Sequence, residues 1–194
     1  QDARSGRILA GIPAFNTASH IADVVKRTLP FVDEVVVIDD GSSDGTAVIA
    51  AAAGATVVRH PRNLGYGAAI RSCFEYAASH NAGILVTVDG DGQHYPEDIP
   101  ALLMTIRDRG AAMASGSRFL KGEGALGRTN FPKYRAFGIR VITLLFNMAS
   151  GCRVTDAQCG LRAYNPRAIQ ELLPGSTSMD VSVELLVAAR AKGL

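Results

Sequence analysis

A marked excess of charge of either sign is missing from this chain. Twenty Lys and Arg against 18 Asp and Glu leave a net charge of +2 over 194 residues. That is too little to argue for a nucleic-acid partner, and no arginine-rich arm appears. Cysteine is scarce: Cys73, Cys152 and Cys159 form an odd set without metal-ligand spacing. Reduced thiols in a cytosolic setting follow, with a Cys152–Cys159 bridge across a turn as the one pairing left open. Long hydrophobic runs are missing too. No segment reaches the ~18 consecutive apolar residues of a membrane span, and the most apolar stretch, 141–149, is short and holds Asn147. The opening QDARSGR lacks the apolar stretch of a signal peptide. Three familiar ligand loops are absent as well. There is no Walker loop, and Gly65-Tyr66-Gly67-Ala68-Ala69-Ile70 lacks the third small residue of a dinucleotide turn and does not follow the first strand. An EF-hand counted from Asp89 would need Glu where Pro100 stands.

What is present reads as one globular domain over 1–194, 47% hydrophobic and 20% charged, with no internal repeat. Gln1 in place of Met, and an end at AKGL directly after a helical pattern, lead to the expectation of a fragment truncated at the C-terminus. Strands are expected over 7–14 (RILAGIPA), 34–39 (EVVVID), 55–59 and 83–88, with a further one over 111–117. Helices are expected between them: one capped by Asn16-Thr17 and running to about Leu29, an alanine-rich one ending near Gly54, one from the Asn63–Gly67 loop to about Ser79, and one over 96–109. Later come a helix from about Lys133 to Met148, an alternating segment over 155–164 and two short helices, the last over 181–192. Such a succession of βα units predicts an α/β fold with a mostly parallel central sheet and helices on both faces.

Ligands of open α/β sheets sit beyond the carboxyl ends of the strands. Four consecutive strand ends here carry Pro13-Ala14-Phe15-Asn16, Asp39-Asp40-Gly41-Ser42, the Asn63–Gly65 loop and Asp89-Gly90-Asp91. The last is the centre of the reading. Two carboxylates separated by a glycine can turn toward one hard cation, leaving coordination positions for water and phosphate oxygens. The plainer alternative is a polar turn whose aspartates cap the helix beginning near Pro96. Beyond Ser117 the charge is concentrated: Arg118, Lys121, Arg128, Lys133, Arg135 and Arg140 stand against Glu123 alone. A solvated basic face and an oxyanion site fit that run equally. His94 reads as a turn histidine, Cys73 as core, Glu184 as a structural pair; His20, His60 and His80 are assigned nothing.

Taken together, five motifs resemble the family 2 inverting glycosyltransferases of GT-A fold: Pro13-Ala14-Phe15-Asn16; Val37-Ile38-Asp39-Asp40-Gly41-Ser42-Ser43-Asp44-Gly45-Thr46; Asn63-Leu64-Gly65; Asp89-Gly90-Asp91-Gly92-Gln93-His94; and Gly116-Ser117-Arg118. Within that family the resemblance is to the dolichol-phosphate mannose synthase and polyprenyl-phosphate glucosyltransferase branch. It implies that Asp40 meets the nucleotide base or ribose with Asp39 beside it, that Pro13, Phe15 and Val37 line the base pocket, and that Ala14, Asn16, Gly65 and Gly90 belong to the donor site. It implies Mg²⁺ or Mn²⁺ on Asp89, Asp91 and Gln93. Arg118, and Arg135 in Phe131-Pro132-Lys133-Tyr134-Arg135, match family positions that bind a lipid acceptor's phosphate. Asp156, in Thr155-Asp156-Ala157-Gln158-Cys159-Gly160-Leu161-Arg162, reads equally as an acceptor-site base and as a turn cap. The family usually has Tyr at Phe15 and an acidic residue at Thr17.

The resulting expectation is a metal-dependent enzyme that moves a hexose from a nucleotide-sugar, of GDP-mannose or UDP-glucose type, to a polyprenyl or dolichyl phosphate. It would work at the cytoplasmic membrane face, peripherally or anchored, without nucleic acid, and the reading allows a homo-oligomer. The rivals are transfer to a sugar hydroxyl in polysaccharide or cell-wall synthesis, with Asp156 as base, and a non-catalytic nucleotide-sugar-binding module. A nucleotidyltransferase is disfavoured by the missing glycine-rich, lysine-bearing loop.

Overall fold

The computed structural model describes residues 6–119, 133–151 and 153–194. Six strands form one sheet in the order β3-β2-β1-β4-β6-β5: β1 (Ile8–Ala14), β2 (Glu34–Asp39), β3 (Thr56–Arg59), β4 (Ile84–Thr87), β5 (Met113–Ser115) and β6 (Arg162–Tyr164). Strands β3, β2, β1 and β4 run parallel. Strand β6 is antiparallel to both β4 and β5, between which it lies. The sheet is thus mixed at one end, a point the βα succession did not disclose. The alternating segment over 155–164 supplies only three strand residues, because residues 156–160 are taken up in side-chain and backbone contacts ahead of β6.

Two-residue periodicity sorts the core. On β1 and β2, Ile8, Ala10, Ile12, Val35 and Val37 face one side and pack with α1 (Ile21–Thr28), α2 (Thr46–Ala52) and α4 (Ile99–Arg109). Leu9, Val36 and Ile38 face the other side, against Ile70, Cys73 and Phe74 of α3 (Tyr66–Ser79), Ile169 of α6 (Pro166–Glu171) and Leu185 of α7 (Val181–Ala191). Burial on both faces explains the continuous apolar run of β2. Helix α3 lies so close to β1 that a Cβ at Gly11 would meet the Cys73 side chain at 2.8 Å. Helix α5 (Lys133–Ser150) stands apart from the sheet, packing through Phe146 on Leu186 of α7 and on Ala157.

Most expected elements agree with these to within a few residues. The first helix is later than expected, starting at Ile21 instead of after Asn16-Thr17. Those two residues are diverted into loop contacts: the Asn16 amide donates to Ser42 Oγ at 2.9 Å and the Thr17 amide to Thr46 Oγ1 at 2.9 Å. The sheet order also locates the ligand crevice. From β1 the chain moves outward to β2 and β3, then returns to place β4 on β1's other side, so the direction reverses between β1 and β4. The loops after these two strands carry Phe15-Asn16 and Asp89–Gln93.

Candidate active site

At the β1–β4 crevice the backbone comes very close. The Gly90 amide donates to the Pro13 carbonyl at 3.3 Å, and a Cβ at Gly90 would meet that oxygen at 3.0 Å. A side chain between the two aspartates would therefore crowd the approach of the two loops. The aspartates face different partners. Asp91 is exposed and accepts the amide of Gln93, at 2.9 Å, within its own loop. Asp89 is partly buried: its Oδ1 accepts the Tyr66 hydroxyl at 2.7 Å, and its Oδ2 lies 3.2 Å from His94 Nδ1, off hydrogen-bond alignment. A Cβ at Gly160 would fall on the Asp89 carboxylate. Asp89 is thus seated against α3 and the segment before β6, and the expectation of two acids presented side by side is corrected to one at the rim and one behind it.

Among the described residues no three His, Cys, Asp or Glu side chains converge as a cage for a metal ion. A Mg²⁺ or Mn²⁺ ion that works on a diphosphate needs no such cage, since one or two carboxylates, waters and substrate oxygens complete its shell. The exposed Asp91 carboxylate, with Gln93 exposed two residues on, fits that sparser demand.

His94, read as a turn histidine, is buried. Its Nε2 lies 3.6 Å from Cys159 Sγ. Burial pushes the Cys159 thiol up to about 12, so it stays protonated and is no nucleophile. Cys73 is likewise buried, its thiol pushed up by desolvation. Both cysteines are free. Cys152, the other half of the suggested bridge, is outside the described residues, as are Lys121, Arg128 and the side chains of Lys133 and Arg135.

The β2 acids turn inward. Asp40 is buried, its Oδ1 accepting from the Leu64 amide at 2.9 Å and contacting His60 Nδ1 at 2.6 Å, its Oδ2 accepting from the Gly65 amide at 2.9 Å. His60 Nε2 reaches Ser72 Oγ at 2.9 Å. Asp40 therefore clasps the loop entering α3, and His60, which the sequence reading left unassigned, is its partner. The two residues directly follow adjacent parallel strands whose register pairs Asp39 with Arg59, and it is that register which brings them together. Asp39 is fully buried, accepting the Ser42 amide at 3.0 Å, with Arg59 Nε 3.0 Å from its other oxygen.

Of the three residues expected to line a base pocket, Val37 is fully buried in the core and Pro13 is buried, while Phe15 is exposed. Val37 is corrected to a core residue, since β2 is covered on both faces. Asn16 is exposed beside Phe15, in a left-handed conformation (φ 51°) that its Oδ1 secures by accepting the Ser43 amide at 3.0 Å. The Thr17 hydroxyl is buried without a hydrogen-bond partner among the described residues. Gly65 (φ 99°) has no room for a side chain, which would strike the Thr177 carbonyl. Glu184 holds that same covering loop, accepting the Gly175 and Ser176 amides at 2.8 and 3.0 Å.

Arg118 and Asp156 meet as a fork. Nε and Nη2 of Arg118 donate to Oδ2 and Oδ1 of Asp156 at 2.6 and 2.8 Å, and the amides of Arg118 and Gln158 donate to the same carboxylate. The Asp156 side chain is fully buried. Burial alone would raise its pKa, but the Arg118 fork, its charge and the two amides together hold it below the ordinary carboxylate range. Arg118 loses by desolvation, but the hydrogen bond and charge of the Asp156 carboxylate more than offset this and raise its pKa. An ion-paired carboxylate of depressed pKa is badly poised to take a proton, so the reading of Asp156 as base is not what this geometry favours.

A crevice at the reversal of an α/β sheet, edged by acids, is where open α/β folds bind their ligands. The chain belongs to glycosyl transferase family 2, whose family model matches residues 10–173. It is 33% identical over 190 residues to MJ1222 of Methanocaldococcus jannaschii, covering 96% of this chain and 77% of that protein. It is 29% identical over 174 residues to the polyprenol monophosphomannose synthase of Mycolicibacterium smegmatis, covering 86% of this chain and 64% of that one. Among solved structures it is similar to glucosyl-3-phosphoglycerate synthase from Mycobacterium tuberculosis in complex with Mn²⁺, UDP and glucosyl-3-phosphoglycerate. There the TM-score is 0.75 at 26% identity, over 98% of this chain and 67% of that one. This chain spans between 44% and 77% of the length of its curated relatives.

Proposed function

We propose that the protein transfers a hexose from a nucleoside diphosphate sugar, with inversion, to the phosphate of a polyprenyl or dolichyl lipid. The donor's nucleoside would lie against the exposed ring of Phe15 and the Asn16–Thr17 turn, and its diphosphate across the β1–β4 crevice beside Asp91. Asp91 and Gln93 would hold the Mg²⁺ or Mn²⁺ ion, with Asp89 behind them. The ion, when bound, offsets the negative charge gathering on the departing nucleoside diphosphate. Asp40 and His60 act one step back by fixing the Leu64 and Gly65 amides at the start of α3. Arg118, oriented by Asp156, gives a fixed positive charge at the acceptor side, where Arg135 is the second arginine proposed.

The observation that carries the choice of acceptor is the Arg118–Asp156 fork. A sugar hydroxyl needs a base to take its proton, and the base the sequence offers is tied up at low pKa. A phosphate monoester arrives already ionised and needs orientation instead. The name of the mycobacterial relative, a polyprenol monophosphomannose synthase, supports the same choice, and the UDP and Mn²⁺ of the solved neighbour support the donor class and the ion.

The test is transfer from UDP-glucose, UDP-N-acetylglucosamine or GDP-mannose to a short-chain polyprenyl phosphate in the presence of Mn²⁺. Asp91→Ala is expected to lower turnover by roughly 10²-fold or more. Unchanged turnover in that variant would remove the ion-site assignment, and transfer to a sugar hydroxyl but not to the lipid phosphate would remove the acceptor.

A further inference from the structure

Helix α5 presents an unusual outer face. Tyr134, Phe137, Val141, Leu144, Leu145 and Met148 recur at spacings of three and four, which puts them on one stripe of a helix. All six are exposed, Tyr134 at 80%, Phe137 at 70% and Met148 at 74%. No element among the described residues covers them. The inner face is ordinary: Ile139, Thr143 and Phe146 are buried. An apolar row on this scale, about 21 Å long from Tyr134 to Met148 at helical rise, is more than scattered surface apolarity, and it marks an interaction surface.

The chemistry of the helix selects the partner. Over Lys133–Ser150 there are three basic residues (Lys133, Arg135 and Arg140) and no acidic residue. Arg140 is exposed, and its guanidinium carbon lies 5.0 Å from the Phe119 ring centroid. An apolar stripe with bases and no acid suits an anionic lipid surface, where the stripe enters the acyl boundary and the cations meet headgroups. Among the described residues no helix is long and apolar enough to cross a membrane, so such a helix would lie in the plane of the surface.

We propose that α5 is the membrane-docking element of this protein, lying in the interface of an anionic bilayer by its Tyr134–Met148 stripe. The inner face of the same helix carries the segment that bears Asp156. Thr143 Oγ1 accepts the Ala157 amide at 3.1 Å, and the Asn147 amide group brackets Val154, donating to its carbonyl at 2.8 Å and accepting its amide at 3.0 Å. Docking the outer face therefore sets the Arg118–Asp156 fork at a fixed height above the lipid. The purpose rests on the lipid-phosphate reading; the docking itself does not.

The chain contains no tryptophan, so Leu145→Trp introduces a single reporter, with Val48→Trp on exposed α2 as control. With vesicles of phosphatidylcholine and phosphatidylglycerol, Leu145→Trp is expected to shift to the blue and be quenched by brominated lipid, and Val48→Trp to do neither. The Leu144→Glu/Met148→Glu pair, at exposed positions, should weaken vesicle sedimentation at least about tenfold without lowering the melting temperature. An unshifted Leu145→Trp, or full vesicle binding by the glutamate pair, would overturn the proposal. So would a dimer that the glutamate pair converts to monomer without any vesicle binding, since the stripe would then belong to a second copy. Donor binding, measured by calorimetry with no lipid present, reports separately on the proposed function.

Discussion

Removing the Asp156 carboxylate leaves Arg118 largely buried without its fork. Asp156→Asn keeps the shape and loses the charge, and breaking a buried pair in this way costs about 3–5 kcal/mol. Urea denaturation of the variant against the parent checks that figure. The pH dependence follows from the depressed pKa of Asp156. Its contribution to stability is complete above the unfolded carboxylate value of about 3.9 and is lost as pH falls through the lower folded value. The parent should therefore lose melting temperature steeply below about pH 4, and Asp156→Asn should lose less over the same interval. Equal acid limbs in calorimetric scans would contradict the assignment. A neighbouring residue teaches the opposite lesson: Cys159, 3.6 Å from His94, looks reactive on paper, and burial, helped by the charge of Asp156, keeps its thiol neutral.

At the scale of the element, Asp40 shows how a strand end organises the loop of its neighbour. Its two oxygens hold the Leu64 and Gly65 amides and contact His60. Asp40→Ala strips two backbone donors of their acceptor at a buried position, which costs about 2–4 kcal/mol. The loss should also be local. Hydrogen exchange at the Leu64 and Gly65 amides should accelerate far more than exchange in β1, and uniform acceleration would show that no clasp exists. The strands themselves were legible because β-branched and apolar runs end in acids and glycines at Asp39-Asp40 and Asp89-Gly90-Asp91. What each acid would face was not. Asp40 finds His60 through the register of β2 with β3, Asp89 finds Tyr66 across α3, and Asp156 finds Arg118 because β6 inserts antiparallel between β4 and β5. Pairings separated by 20 to 38 residues depend on sheet order, and local pattern does not carry it. Val37 was misplaced for the same reason: only its position second from the sheet edge, under helices on both sides, tells core from pocket.

Across the whole molecule, the crevice joins two parts that the chain builds in sequence, β1 to β3 and then β4 to β5, with β6 closing the sheet between the later strands. A ligand spanning the loops after β1 and β4 touches both, so its binding must oppose global unfolding. At a free concentration about a hundredfold above its Kd it adds about 2.7 kcal/mol. For a chain of this length that raises the melting temperature by roughly 5–10 °C. With UDP and Mn²⁺ together the full shift is expected, with UDP and EDTA only a small part of it. Asp91→Ala should melt at the parent's temperature when unliganded, because among the described residues the exposed carboxylate accepts only an amide of its own loop, yet should lose the Mn²⁺-dependent part of the shift. The comparison separates a ligand held through its metal from one held by the base pocket alone: a shift of equal size in EDTA, or one that survives in Asp91→Ala, would place the diphosphate away from the β4 loop and with it the centre of the chemistry.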